Sequence, residues 1–195
     1  MRHALPPWSV QAWPARLHLA LYVHAVQELP HGLYLLVRDH ADLENLRPKF
    51  DSRFLWQRVT QAPPHLPLYC LAQAKARQTA MHLNCHQEIA GDGVFALSML
   101  AEFEPVIRSE PWRYPELFWE AGMIGQALYL EAEAIGLRGT GMGCFFDDAI
   151  HQLLGLRDRG LQCLYGFTVG APIDDPRLAT LPPYDDRDTA STIAS

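Results

Sequence analysis

Residues 120–145 read EAGMIGQALYLEAEAIGLRGTGMGCF, and this stretch says more about the fold than any other part of the chain. Residues 120–137 have the composition of a long helix that carries small residues on one side. In the segment that follows, glycine occupies every second position, at Gly139, Gly141 and Gly143. A backbone without Cβ atoms can lie flat against a planar ligand or an anion. The sequence therefore predicts a glycine turn that approaches a ligand closely, with a plain helix cap and flexible loop as the alternative.

The glycine turn differs from the dinucleotide-binding fingerprint. That fingerprint, GxGxxG, follows a strand and opens a helix. Here the position of the third glycine holds Cys144, and the turn is expected to follow a helix. A Rossmann-type nucleotide site is therefore excluded at this place.

The composition is that of one soluble globular domain spanning residues 1–195. Apolar residues make up 49% of the chain and charged residues 19%, which excludes disordered and coiled-coil classes. The net charge of −6 comes with scattered basic residues, so no nucleic-acid partner is expected. Residues 1–15 are rich in proline and tryptophan and predict an irregular lead-in, and residues 185–195 are expected to be a mobile tail.

The expected location is the cytoplasm. No apolar run approaches the roughly 20 residues that span a bilayer, so no membrane association is predicted. The N-terminal residues 1–8 lack the apolar core of a signal peptide. The cysteines, Cys70, Cys85, Cys144 and Cys163, are widely spaced without a CxxC pair, so they are expected to be reduced thiols.

The hydrophobic pattern predicts an α+β fold, because helices and strands mix without βαβ regularity. Apolar residues alternate over 17–23, which predicts a half-buried strand that forms an antiparallel hairpin with a strand over 33–38. The other predicted elements are helices over 74–89, 114–137 and 147–154, and strands over 94–103 and 161–169. Gly155 is expected to cap the helix over 147–154, and an extended arm follows Gly170.

Three soft ligands lie close together at His82, Cys85 and His86. Their spacing of i, i+3 and i+4 would place them on one face of a helix, as a metal site requires. No sequence element supplies a fourth ligand, so the sequence predicts no metal, with a metal-dependent hydrolase as a remote alternative. Cys144 is interpreted as a small apolar residue, and a reactive thiol is its alternative. Arg177 in the arm is either an exposed turn residue or a cation that meets an anionic ligand.

Several short motifs, taken in order, resemble the nitroreductase superfamily, and in particular its SagB/ThcOx-type dehydrogenase branch. The resemblance covers about residues 17–178. The motifs that carry it are Leu21–Val26, Gly32–Tyr34, Trp112–Tyr114, Glu120–Gln126, Ala134–Leu137, Met142–Phe145, Leu154–Leu156 and Val169–Pro172.

The resemblance implies a nitroreductase-like α+β fold, with a mixed or antiparallel central sheet, flanking helices, a long central helix and an extended C-terminal arm. It also implies a homodimer that holds FMN at the subunit interface and transfers a hydride through flavin N5. NAD(P)H is the implied co-substrate, and a small molecule or a peptide is the implied substrate. By the resemblance, Gly141, Met142, Gly143 and Cys144 face the flavin, and Arg177 reaches the FMN phosphate. No catalytic proton donor is predicted, because the cofactor carries the chemistry.

Two features depart from the family pattern. Members of the family usually carry an Arg/Ser-rich phosphate-binding motif before the hairpin, and Arg2 and Arg16 do not reproduce it. Members that oxidise azolines carry a Lys-Tyr pair where this chain reads Val106-Ile107-Arg108-Ser109. The alternative to a flavoenzyme is therefore a flavin-free partner or dimerisation module, or an N-terminally truncated half of a larger flavoprotein.

Overall fold

The computed structural model describes residues 11–39, 42–179 and 181. Most of the predicted lead-in over residues 1–15 lies outside the described residues, and residues 11–15 form no helix or strand. The predicted mobile tail over residues 185–195 also lies outside the described residues. In the part of the chain that is described, no helix is both long enough and apolar enough to cross a membrane.

The architecture is α+β, as predicted. The strands are β1 (Leu17–Val23), β2 (Gly32–Leu36), β3 (Gln57–Arg58), β4 (Leu68–Gln73), β5 (Phe95–Glu102), β6 (Arg138–Met142) and β7 (Leu161–Gly170). The helices are α1 (Leu43–Leu46), α2 (Arg77–Leu83), α3 (Ile89–Asp92), α4 (Glu104–Ser109), α5 (Tyr114–Ala134) and α6 (Asp147–Leu154).

The seven strands form one sheet in the order β3-β4-β2-β1-β5-β7-β6. Neighbouring strands pair antiparallel throughout, so the sheet is antiparallel rather than mixed. The predicted hairpin is confirmed, since β1 and β2 pair with Leu21 opposite Tyr34. The order places β1 and β5 in the centre and leaves β6 at one edge.

Each face of the sheet has its own hydrophobic core, because side chains alternate between the faces along every strand. On one face, which we call the α5 face, Leu117, Ala121 and Ile124 of α5 pack with sheet residues such as Phe167. On the other, the short-helix face, residues of α2, α3 and α6 cover sheet residues such as Tyr22. Because both faces of the sheet are packed, its strands are held by side-chain contacts on two sides.

Helix α5 is fixed to the sheet by a buried ion pair. The Glu120 side chain is fully buried and forms a salt bridge with Arg38, at the end of β2. Its carboxylate also accepts the backbone N–H groups of Arg16, at 3.1 Å, and Leu17, at 3.2 Å. A buried carboxylate is tolerated where charge and hydrogen bonds compensate it. This contact, which we call the Glu120 pin, sets the position of α5 against β1 and β2.

Two predicted elements are wrong in detail. The helix predicted over 74–89 is two short helices, α2 and α3, because Asn84 leaves the helical region and Cys85 and His86 take positive φ values of 54° and 58°. The glycine turn is not a turn, since residues 138–142 form strand β6. By contrast the predicted cap of α6 is confirmed, with Gly155 left-handed at φ 75°.

Candidate functional site

The glycines of β6 let this edge strand lie against aromatic rings. Added to Gly139, a Cβ atom would come within 2.6 Å of Phe167 Cζ, and added to Gly141 it would come within 1.9 Å of Tyr165 Oη. Both rings belong to β7, on the α5 face. These two glycines therefore have a structural reason, namely packing inside the chain, which the sequence alone did not reveal.

Gly143 is different, because a Cβ atom added there would meet no atom within 4 Å. The residue is exposed, directly after β6. Gly141 donates its backbone N–H to Tyr129 Oη at 2.8 Å, away from β7. Gly143 follows the last paired residue of β6, Met142, so the ladder with β7 ends immediately before it. The chain here leaves open space where a side chain would stand, which suits the close approach of a flat ring.

The neighbours of Gly143 hold it from both sides. Met142 is only 2% exposed and lies in the core of the short-helix face, so its side chain cannot contact a ligand without rearrangement. Cys144 forms a disulfide with Cys85 across a Cα–Cα distance of 5.8 Å. Gln87 Nε2 donates to the carbonyl oxygen of Cys144 at 3.2 Å. The loop after β6 is therefore anchored by a buried side chain and by a covalent bond.

The disulfide corrects the prediction that all four cysteines are reduced. Cys85 and Cys144 are 59 residues apart in sequence, so their pairing depends on the fold and leaves no local sequence signal. Cys70 and Cys163 are free thiols, as predicted, and both are buried. Burial raises the pKa of Cys70, and it raises the pKa of Cys163 to about 12.

Arg177 forms an ion pair within its own turn. Its guanidinium donates to both carboxylate oxygens of Asp175, with Nε to Oδ1 at 2.8 Å and Nη2 to Oδ2 at 2.6 Å. These hydrogen bonds raise the pKa of Arg177 and lower that of Asp175. Arg138, at the start of β6, is likewise paired with Glu133 at 2.8 Å. An anion that bound at either arginine would compete with a carboxylate.

The helical face on which His82, Cys85 and His86 would lie together does not form. Helix α2 ends at Leu83, so only His82 is helical, and Cys85 is held in the disulfide. The rings of His82 and His86 instead lie against each other, with centroids 4.9 Å apart. Both rings also contact Phe146, at 6.0 and 5.7 Å, in the loop that follows Cys144.

A search for metal-ligating groups within residues 11–39, 42–179 and 181 finds one cluster, formed by His18, Asp42 and Glu102. His18 is fully buried, and its Nε2 lies 3.9 Å from Glu102. Its Nδ1 accepts the backbone N–H of Arg38 at 3.3 Å, so the proton of the neutral ring belongs on Nε2. A protonated nitrogen faces the carboxylates as a donor, which favours an internal histidine–carboxylate contact over a metal site.

A shallow groove of about 230 Å³ runs between α5 and the edge of the sheet. Its lining residues are Phe118, Ala121, Gly122, Gly125, Gln126, Tyr129 and Tyr165. Beside it, Trp119 is 59% exposed and Leu130 is 61% exposed. The small residues on one side of α5 are evident from the sequence, and Gly122 lies open to this groove, but the roles of Tyr129 and Gln87 at the loop were missed. Tyr129 bonds to Gly141 and Gln87 bonds to Cys144, and neither pairing leaves a local signal in the sequence.

The fit of this edge to FMN is good for the ring and poor for the phosphate. Gly143 leaves open space where a side chain would stand, so a flat ring can approach its backbone. Arg138, in the edge strand, and Arg177, in the C-terminal arm, are compensated by Glu133 and Asp175. A phosphate with nearly two negative charges requires more positive charge than these pairs offer. The described residues therefore suit the ring of FMN better than its phosphate.

Comparisons with known proteins identify the family and the fold. A family model described as the nitroreductase family matches residues 44–171. Among curated protein sequences, none matches. Three solved structures share the fold: a proposed nitroreductase from Anabaena variabilis (TM-score 0.58, 23% identity), one from Ralstonia eutropha (0.54, 14%), and the Escherichia coli microcin synthetase McbBCD complex with truncated pro-MccB17 bound (0.56, 19%).

These matches cover most of this chain but only part of the structures. The alignments include 81%, 83% and 82% of the chain, respectively. They include 27%, 60% and 53% of the corresponding solved chains. The chain thus spans less than two thirds of the length of each.

Proposed function

The chain belongs to the nitroreductase family, and on that premise we propose that it is a subunit of an FMN-dependent oxidoreductase. Its proposed role is to hold the isoalloxazine ring against the loop after β6 while a hydride passes between NAD(P)H or a substrate and an acceptor. Gly143 carries this proposal, because it is exposed directly after β6 and leaves open space where a side chain would otherwise stand.

The protein contributes position rather than acid–base chemistry in this proposal. When bound, FMN supplies the two-electron hydride chemistry. Gly143 would offer its N–H to an acceptor atom of the ring. Met142 and Cys144 would keep that N–H in place, because one is buried and the other is covalently tied. Positioning of this kind lowers the entropy lost when the reactants meet.

A second polypeptide would complete the site. The outward side of α5 exposes apolar side chains, including Phe118 at 40% and Trp119 at 59%, beside the groove lined by Gly122 and Gly125. Contiguous apolar surface of this kind marks a protein interface. We assign it to a second copy of this chain, giving a homodimer. The cations for the FMN phosphate would come from a segment outside the described residues or from a partner chain.

The SagB/ThcOx-type branch is the proposed subgroup. It is supported by the order of motifs along the chain and by the shared fold with the McbBCD complex, which is bound to a truncated peptide precursor. A peptide or a small molecule is accordingly the proposed substrate class. The absence of the Lys-Tyr pair near Val106–Ser109 argues against azoline oxidation.

Flavin titration tests the proposal directly. We expect added FMN to lose fluorescence on binding, to raise the melting temperature, and to be bleached by NADH or NADPH. A series of Gly143→Ala, Gly143→Val and Gly143→Phe should weaken FMN binding progressively, by more than about tenfold at Val, because the added atoms occupy the ring position. The melting temperature of the FMN-free variants should stay near that of the wild type, since a Cβ atom there meets nothing. Unchanged FMN binding across the series would refute the site.

A flavin-free partner is the second candidate function. The observation that favours it is the Arg177–Asp175 pair, which leaves the predicted phosphate ligand already neutralised. The chain would then act by binding another nitroreductase-like protein through the α5 surface. Absence of any FMN effect on fluorescence or melting, together with a stable dimer in sedimentation, would select this function over the flavoenzyme.

A further inference from the structure

The Cys85–Cys144 disulfide joins two segments that have little else in common. Cys144 is exposed in the loop after β6, and Cys85 is half-buried in the turn between α2 and α3. The bond therefore fixes the loop that carries Gly143 to a helical turn on the short-helix face. One of its two sulfur-bearing residues is open to reagents in solvent.

Few other contacts hold the two segments together. Gln87 donates to the carbonyl oxygen of Cys144, and the N–H of Phe146 donates to the carbonyl oxygen of Leu83 at 2.8 Å. Phe146 also lies against the His82 and His86 rings, but its side chain is 41% exposed and those histidines are exposed too. Contacts made at an exposed surface open at low cost in free energy.

The turn that carries Cys85 has an unfavourable backbone. Cys85 and His86 are consecutive residues with left-handed φ values of 54° and 58°. Residues with a Cβ atom rarely adopt this region, and two in succession are rarer still. Because the strain is removed when the turn is free to relax, breaking the cross-link lets both segments rearrange.

We propose that Cys85–Cys144 is a reversible thiol–disulfide site, which a dithiol reductant opens to release the loop after β6. The attacking thiolate bonds to Sγ of Cys144, the Sγ–Sγ bond breaks, and Cys85 leaves as a thiolate that takes up a proton. The second thiol of the reductant then displaces Cys144. The protein gains two electrons and two protons, and the dithiol becomes a cyclic disulfide.

The remaining cysteines provide an internal reference. Cys70 and Cys163 are 5% and 3% exposed, and burial raises the pKa of each thiol. A protonated, enclosed thiol neither attacks disulfides nor reacts with alkylating reagents at neutral pH. Labelling at these two positions therefore reports unfolding, whereas labelling at Cys85 and Cys144 alone reports local opening.

The test is differential alkylation of the full chain after equilibration in dithiothreitol buffers of graded redox ratio. We expect Cys85 and Cys144 to be labelled together in peptide mass spectrometry, and the label to disappear on reoxidation. Cys70 and Cys163 should stay unlabelled at every ratio. Hydrogen exchange over residues 84–88 and 143–146 should accelerate by about tenfold on reduction. Three results would overturn the proposal. They are parallel labelling of all four cysteines, free thiols at Cys85 and Cys144 before any reductant is added, and hydrogen exchange that does not change on reduction.

Cysteine variants distinguish the effect of losing the disulfide from any other effect of dithiothreitol. The double variant C85S/C144S should show the faster exchange without dithiothreitol and no further response to it. Cys70→Ala, which leaves the bond intact, should respond to dithiothreitol like the wild type. If hydrogen exchange in C85S/C144S is as slow as in the oxidised wild type, the proposal is overturned.

The consequence for the ring site rests on the proposed function. Reduction should weaken FMN binding, because the backbone at Gly143 is no longer held in place. If FMN binds neither form, the flavoenzyme proposal fails, while the alkylation and exchange results still decide the redox proposal. If FMN binds both forms equally, the disulfide does not control the ring site.

Discussion

On the α5 face of the sheet, one 21-residue helix covers most of the core and the short α4 adds Ile107, whereas on the opposite face four short helices, α1, α2, α3 and α6, share that task. Helix α5 is held by a buried charge pair in its N-terminal half, the Glu120 pin. Helix α2 runs into a turn that is held by a covalent bond at the solvent-exposed rim, at Cys85. The two faces are therefore stabilised by different chemistry at different depths.

The difference follows from helix length. A long helix buries a continuous apolar stripe, so packing supplies most of its stabilisation and a buried polar contact can set its register. Short helices bury too little surface to be fixed individually. The Glu120 pin is closed to solvent and stays in place as long as the fold persists. The disulfide can be opened chemically while the core remains intact, so a region that must change state is better placed on the short-helix face.

The largest expected effect comes from removing the pin. Glu120→Ala should lower the free energy of unfolding by about 3–5 kcal/mol, because it removes the carboxylate that pairs with the buried Arg38 guanidinium. It also leaves the N–H groups of Arg16 and Leu17 without the acceptor that they have in the wild type. Urea unfolding followed by circular dichroism measures this loss. Glu131→Ala, an exposed position on the same helix, should change stability by less than about 0.5 kcal/mol.

A loss below about 1 kcal/mol at Glu120 would contradict the contrast between the faces. It would mean that α5 is positioned by its apolar stripe alone. The combination with Arg38→Met should recover part of the loss, since the buried guanidinium that has lost its carboxylate is then removed.

A smaller effect is expected at the sheet edge where the two faces meet. Gly139→Ala should cost about 1–3 kcal/mol, because its Cβ atom would overlap the ring of Phe167, which is fully buried and has no room to move. Gly143→Ala adds the same methyl group four residues later and should cost less than about 0.5 kcal/mol. Thermal unfolding of both variants without ligand makes the comparison. Equal losses at the two positions would show that the edge is not divided into a packed part and an open part.

The smallest effect concerns charge on the short-helix face. Burial, together with Glu102 and Asp39, raises the pKa of Asp42 above its ordinary value. The folded pKa then exceeds the unfolded pKa, so ionisation of Asp42 as pH rises through this range costs native stability. Asp42→Asn should therefore stabilise the protein at pH 7 by roughly 0.3–0.5 kcal/mol, a small value because the side chain is partly exposed to solvent.

This gain should shrink as pH falls through the raised folded pKa and disappear below about pH 3, where Asp42 is protonated in both states. Chemical unfolding at pH 7 and at about pH 3 measures the difference. Glu44→Gln, an exposed carboxylate on the same helix, should show no such pH-dependent gain. A destabilising Asp42→Asn at pH 7 would indicate that the carboxylate makes a favourable contact there.

The sequence predicted those parts of the fold that depend on local pattern. Alternation identified β1, the run of helix-forming residues identified α5, and a glycine at a helix end identified the cap of α6. Pattern failed where distant residues decide the conformation. The glycines of β6 read as a turn because Phe167 and Tyr165, which they accommodate, are more than 20 residues away. The disulfide was missed for the same reason.

The candidate site was predicted in outline only. Motif order along the chain pointed to the loop after β6, and Gly143 has the exposure that a ring-facing residue needs. Sequence could not show that Met142 is buried, or that the Arg177 guanidinium turns back onto Asp175. Both outcomes depend on side-chain directions, which spacing along the chain does not determine.

The hydroxyl of Tyr129 has a further consequence for how molecules of this protein meet one another. Strand β6 lies at the edge of the sheet, and exposed edges invite strands from other chains to pair with them. Because Tyr129 already accepts the N–H of Gly141, an incoming strand would find that donor of the edge occupied. The opposite edge, β3, is only two residues long. Both features make the ends of the sheet less favourable for pairing with a strand of another molecule.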